Sequence, residues 1–167
     1  HGTLPGIYAD RDPEGRASTL RSYVDAYLRE EIQAEALVRD IGGYSRLLDL
    51  AAASSGRVVN LHALSRDAAV SYETARRYLD VLEDTLILFR IPAWRGSDRA
   101  SLVAHPKVLF FDLGVRNAIL RRPLDRPLDD ERGLLLEHLV GLELRRREGT
   151  IWPEARVAVV VGQSYAP

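Results

Sequence analysis

Residues 60–84 constrain the fold more tightly than any other stretch of the chain. Asn60 is a strong N-cap residue, and Leu61–Asp67 behind it reads as a short helix. Ala68, Ala69 and Val70 make a tight turn of small residues, and Ser71 is a second N-cap. Ala75, Tyr78, Leu79 and Leu82 then recur at three- and four-residue spacing, the apolar stripe of a second helix. Two short helices joined by so short a turn must cross steeply, so the stretch predicts a helix-turn-helix. Residues 85–91 are rich in Ile, Leu and Phe and read as a strand that ends at Pro92. A turn-like run from Arg95 to Arg99 follows, and then Val103 and residues 107–111 read as a returning strand. A helix-turn-helix followed by a hairpin is the outline of a winged helix, with its wing tip at Arg95 and Arg99.

The rest of the chain extends this unit into an α+β, mainly helical protein. Residues 1–15 carry Gly2, Pro5, Gly6, Pro13 and Gly15 and read as a loop. Ser18 or Thr19 can cap a helix running to about Val38, with Leu20, Val24, Tyr27, Leu28 and Ile32 on one face. The Gly42-Gly43 pair weakens a short junction, and a further helix through Tyr44, Leu47, Leu48, Leu50 and Ala51 ends before Gly56. Asp112 can cap a short helix over residues 113–120. Residues 121–130 hold Pro123 and Pro127 and read as a loop. Residues 131–148 form a long amphipathic helix on Leu135, Leu136, Leu139, Val140, Leu142 and Leu144. Its last turn, Arg145-Arg146-Arg147, suits the negative end of the helix dipole. A final strand covers residues 156–161. The expected organisation is a linker over residues 1–17, a helical and winged-helix domain over 18–104, and a partial α/β domain over 105–167.

Several function classes drop out on composition. Cysteine is absent, so disulfides, thiolate metal sites and cysteine nucleophiles are excluded. Twenty-three Lys and Arg against 24 Asp and Glu leave a net charge of −1, which gives no global basic field for coating DNA or an anionic membrane. The apolar runs, such as residues 86–89 and 157–161, are too short to span a bilayer, and residues 1–17 lack the apolar stretch of a secretory signal. The expected location is the cytoplasm, with no membrane partner. Position 1 is His, so the chain is expected to be a piece of a longer protein. No phosphate-cradling G-x-x-x-x-G-K-[ST], G-x-G-x-x-G or G-x-S-x-G motif occurs.

Three constellations bear on chemistry. The second helix of the helix-turn-helix would present Tyr72, Glu73, Arg76 and Arg77 to a DNA major groove, with Arg95 and Arg99 on the wing. Opposing this, residues 71–84 hold two Arg against Glu73, Asp80, Glu83 and Asp84. The bland alternative is a solvated face on a partner-docking module. Glu137 and Glu143 share one helix, but six residues at 100° each put them about 120° apart, off a common face. Glu137, among leucines, is expected to be partly buried and paired with an Arg. The lone lysine of the chain, Lys107, stands with Asp112 at the two ends of one strand, a structural or functional pair. His62, His105 and His138 read as polar surface or satisfied boundary residues. No metal ligand set is expected.

The order of the segments is familiar. "LPGIYAD" leads into "LRSYVDAYLREEIQAEALVRDIGGYSRLLDLAAASSGRVVN", then "LSRDAAVSYETARRYLDVLEDTLILFRIPAW", "HPKVLFFDLGVRNAIL" and "GLLLEHLVGLELRR". This resembles the domain of unknown function that follows the ATPase core in a large family of prokaryotic AAA-type ATPases, over roughly residues 2–147. The most specific parts are Thr74…Tyr78-Leu79…Leu82-Glu83-Asp84-Thr85, Lys107…Phe111-Asp112-x-Gly114, and Gly133-x-x-x-Glu137…Glu143-Leu144. The resemblance implies an upstream nucleotide-binding domain that uses ATP and Mg, with no cofactor in the present segment. It also implies a restriction-endonuclease-like (PD-(D/E)XK) end, in which Glu137 matches the helix glutamate and a following strand carries a Glu-Val-Asp pair. The chain departs from that pattern: after Ile151 and Trp152 it reads Pro153-Glu154-Ala155-Arg156-Val157-Ala158-Val159, with no such pair and no later lysine. Metal-assisted phosphodiester chemistry needs those ligands, so no catalysis is expected. The expected role is a non-catalytic C-terminal module that binds a protein partner and works with the upstream ATPase domain; oligomers are compatible with it. A DNA-binding module is the alternative, and a nuclease remnant at Glu137 and Glu143 the third.

Overall fold

A computed structural model of the chain describes residues 4–26, 40–92, 105–122 and 129–147. Its first elements are helices α1 (Pro5–Ala9) and α2 (Pro13–Ser22), both beginning inside the stretch expected to be a loop. The correction has a local cause. The Asp12 carboxylate accepts hydrogen bonds from the N–H of Glu14 (3.2 Å) and Gly15 (2.9 Å), and Pro13 sits at the first helical position. A proline there gives up an N–H that the helix leaves unbonded anyway. So Asp12, and not Ser18 or Thr19, starts this helix. Residues 27–38 of the expected helix lie outside the described residues.

Helix α3 (Ile41–Ala53) is capped by Asp40, whose carboxylate accepts from Gly43 N–H at 2.9 Å. The glycine pair therefore lies in its first turn and is not a junction. Gly43 is required there, because a Cβ would stand 2.6 Å from Val70 Cγ1. Helices α4 (Leu61–Asp67) and α5 (Tyr72–Asp84) fall where their caps place them. Asn60 accepts from the N–H of His62 and Ala63, and Ser71 from that of Thr74. Ala75, Tyr78, Leu79 and Leu82 of α5 are buried.

Strand β1 (Leu88–Ile91) pairs antiparallel with β2 (Lys107–Phe110), with Leu88 opposite Phe110 and Ile91 opposite Lys107. β1 starts later than expected because residues 85–87 terminate α5. The wing-tip residues 95–99, Val103 and the strand at 156–161 lie outside the described residues. Asp112 caps α6 (Leu113–Ile119) through Val115 N–H at 2.9 Å. A 3-10 turn, Asp129–Glu131, leads into α7 (Arg132–Arg147). The architecture is thus mainly helical with a small two-stranded antiparallel sheet. Leu20, Leu48, Tyr78, Leu82, Phe110 and Val115 share one core, which joins both sides of the 104/105 boundary expected from sequence.

Three of these helices end alike. Ala69, Leu86 and Arg121 have φ of 53°, 60° and 53°. Each follows a helix, donates to the carbonyl three residues back, and is followed by a residue donating to the carbonyl five back. This is the Schellman ending, whose left-handed position favours glycine. An L side chain there costs roughly 1–2 kcal/mol. Ala69 is exposed and its methyl contributes little packing. Ala69→Gly is therefore expected to stabilise the protein by about 1 kcal/mol, read as a raised urea midpoint at unchanged slope. A lowered midpoint would contradict this account of the turn.

Candidate functional site

Helix α7 is fastened to the body by polar contacts at its N-terminal half. Arg116, on α6, is 1 % exposed and yet charged. Its Nη1 and Nη2 donate to the two carboxylate oxygens of Glu131 at 3.0 Å each, its Nε to the Ala52 carbonyl at 3.2 Å, and its Nη1 also to Asn117 Oδ1 at 2.8 Å. The bonds from Arg116 hold the Glu131 carboxyl below the usual carboxylate range. Arg122 adds a weaker contact to Glu131 at 3.7 Å.

Two turns beyond Glu131, on α7, His138 is 1 % exposed. Its Nε2 lies 2.8 Å from the Phe110 carbonyl and its Nδ1 3.3 Å from Ser55 Oγ. A carbonyl only accepts, so Nε2 carries the proton. Burial pushes the ring's pKa down, so Nδ1 is bare and accepts the Ser55 hydroxyl proton. Ser55 Oγ in turn accepts from Phe110 N–H at 3.1 Å. The result is a closed circuit joining α7, β2 and the end of α3. His138 is thus a buried residue rather than a surface one.

Lys107 and Asp112 both lie near enough to His138 to act on its charge. Lys107 Nζ binds Glu137, and Asp112 caps α6. The Glu137 expectation is corrected on both counts: its side chain is 61 % exposed, and its partner is the lysine rather than an arginine. Glu143 faces away from it and holds Arg146 at 2.7 Å. Among the described residues, no three His, Asp or Glu side chains converge as metal ligands.

The apolar face of α7 also departs from expectation. Its buried positions are His138 and Leu142. Leu136 (63 % exposed), Leu139, Val140 and Leu144 point outward in a row along the helix. Beside it lies a cavity of about 650 Å³ lined by Leu86, Phe89, Phe111 and Leu142, with Arg145 and Arg146 at the rim. The Arg145 guanidinium sits 5.6 Å from the Phe89 ring centre.

The outer face of α5 carries Tyr72, Glu73, Arg76 and Arg77, all exposed. His62 stacks on Tyr72, with ring centres 4.3 Å apart. The acidic end of α5 is partly neutralised from the sheet: Arg90 binds Asp80 at 2.7 Å and also Glu83. Sequence counting over residues 71–84 missed this compensation. Glu73 stays beside Arg76 and Arg77. Arg95 and Arg99 lie outside the described residues. Among the described residues, no helix is long and apolar enough to cross a membrane.

A family model described as "Domain of unknown function (DUF8612)" matches residues 1–126. An uncharacterized protein of Mycobacterium tuberculosis and another of Mycobacterium bovis are each 26 % identical over 119 residues, 71 % of this chain and 27 % of the relative. The matched part of the chain therefore spans about a quarter of the length of these curated relatives. No solved structure matches.

Proposed function

We propose that this chain, which belongs to the family described as a domain of unknown function (DUF8612), is a non-catalytic partner-binding and regulatory module of a prokaryotic AAA-type ATPase. The observation that carries this reading is the outward row of α7. Scattered exposed apolar side chains are ordinary, but Leu136, Leu139, Val140 and Leu144 form a continuous strip on one helix. The same helix is fastened by Glu137 and His138 and by Glu131 just before it, so the strip is held in place for a partner. Arg116, Glu131 and His138 are engaged with one another, with main-chain atoms or with neighbouring side chains, an arrangement suited to holding a shape rather than to reacting with a substrate. The matched region is a minor part of its long relatives, as suits one module among several. The succession α4, turn, α5, β1, β2 fits a winged helix, and Glu137 within a partial nuclease-like end fits a lost active site.

The test begins upstream of His1. A phosphate-binding loop encoded in the same frame supports the reading, and a frame that opens beside this segment overturns it. In the intact protein, Leu136→Asp with Val140→Asp is expected to change ATP turnover or partner retention about tenfold or more, since central interface anchors each contribute roughly 2 kcal/mol. Both positions are exposed, so the melting temperature should hold within about 2 °C. Unchanged turnover and retention would count against the strip as the working surface.

The salt bridges from Arg90 favour one second reading, a DNA-binding winged helix using Tyr72, Arg76 and Arg77 with Arg95 and Arg99. It requires duplex DNA to be retarded with a steep salt dependence, and Arg76→Ala plus Arg77→Ala to flatten that slope by about two phosphate contacts. Glu73 beside both arginines places this reading second. A nuclease remnant, third, requires Mn²⁺-dependent cleavage lost in Glu137→Ala.

A further inference from the structure

We propose that the cleft between the end of α2 and the end of α6 binds a phosphate-type oxyanion. The cleft has a volume of about 370 Å³ and is lined by Arg21, Asp25, Arg121 and Arg122 over a floor that includes Val24 and Ile119. Val24 and Ile119 are buried, 3 % and 5 % exposed. Three arginines from two separate segments thus line one cleft over a partly apolar floor.

Among the described residues, the acidic side chains do not balance this set. Among the described residues, Asp25 is the one carboxylate in the lining. Glu131 reaches only Arg122, at 3.7 Å, and is already held by two bonds from Arg116. Among the described residues, Arg21 and Arg121 have no acidic partner. The carbonyl end of α6 attracts cations, but a helix end offers about half a charge, and α6 is 7 residues long. A ligand carrying two or more negative charges on tetrahedral oxygens supplies what is missing. Guanidinium forks match such oxygens in pairs of hydrogen bonds. The volume suits an anion of pyrophosphate or sugar-phosphate size and is near the lower end of small-molecule sites. The same chemistry has two sources, a free phosphate compound or the backbone of a nucleic acid. The cleft lies on α2 and α6 and uses no residue of the α7 strip, so it stands or falls independently of the partner-binding reading.

Arg121 allows binding to be separated from folding. It occupies the left-handed position of a Schellman ending, φ 53°, which glycine fills without strain. Arg121→Gly is therefore expected to raise the melting temperature in anion-free buffer while weakening anion binding. The measurement is thermal unfolding of the whole chain with sodium pyrophosphate against sodium chloride of equal ionic strength. Isothermal titration with pyrophosphate accompanies it. At about ten times the dissociation constant, pyrophosphate should raise the melting temperature by about 3–6 °C. The double variant Arg21→Ala, Arg121→Gly should bind at least about tenfold more weakly and lose most of that shift. Sulfate and phosphate salts stabilise proteins generally, so a shift of equal size in the double variant overturns the site, as does no shift in the parent chain. If the parent binds, competition by a duplex oligonucleotide assigns the anion to a nucleic-acid backbone, and no competition assigns it to a free phosphate compound.

Discussion

Arg116→Ala is expected to destabilise the protein by about 3–5 kcal/mol, a fall of roughly 10 °C or more in melting temperature. The Arg116 guanidinium is fully enclosed and satisfies four acceptor atoms: both oxygens of Glu131, the Ala52 carbonyl and Asn117 Oδ1. Truncation leaves the Glu131 carboxylate, 12 % exposed at its side chain, without the charge that holds it. The loss belongs to the orphaned partner more than to the pair itself. Two charges taken from water to make a buried pair nearly cancel their own attraction. The double variant Arg116→Met, Glu131→Leu is accordingly expected to recover most of the stability lost in Arg116→Ala. A double variant as unstable as the sum of its parts would refute the cancellation. Acid should act on the same pair. The folded-state Glu131 carboxyl titrates below its unfolded value of 4.5, so its contribution is complete above that pH. It is lost as the pH falls from there through the folded value. Urea unfolding between pH 6 and pH 3 should show this loss in the parent chain and not in the double variant.

What was legible in advance divides by the range of the interaction. Asn60, Ser71 and Asp112 cap their helices through bonds spanning two or three residues, so their effect can be read along the chain. Asp12 acts in the same way, and the signal was present in its position just before Pro13. The pair was hidden by reading Pro and Gly as loop punctuation. The face α7 buries is a different kind of question. Its apolar residues nearly encircle the helix, so periodicity cannot choose a side. The choice is made by Glu131, Glu137 and His138 finding Arg116, Lys107, Ser55 and Phe110, partners 15 to 83 residues away. A buried arginine on a 7-residue helix gives no local sign of burial. One hint was chemical: Lys107, the single lysine among arginines, has a side chain only 11 % exposed.

The circuit through His138 carries the second large effect. His138→Leu keeps an apolar body of similar reach but leaves the Ser55 hydroxyl proton and the Phe110 carbonyl without their ring partner. Each such buried group costs about 1–3 kcal/mol, so a loss of about 2–6 kcal/mol at pH 8 is expected. The parent chain should also weaken as the pH falls. In the unfolded chain this histidine takes its proton near pH 6.5, whereas burial holds the folded ring neutral to lower pH. Between those two values the unfolded state binds the extra proton, and stability falls by up to about 1.4 kcal/mol per pH unit. A proton forced onto Nδ1 would leave the Ser55 hydroxyl without an acceptor. It would also place a charge in a buried site, the main penalty, with Arg116 and Lys107 opposing that charge and the Phe110 carbonyl and Asp112 favouring it. Urea unfolding at pH 8, 6.5 and 5 separates the two contributions. The leucine variant should start lower and lose less between pH 6.5 and 5, so the two stability curves converge toward acid. Parallel curves would mean that His138 takes up its proton in the fold as readily as in the unfolded chain, and the hydrogen-bond circuit assigned to it would be wrong.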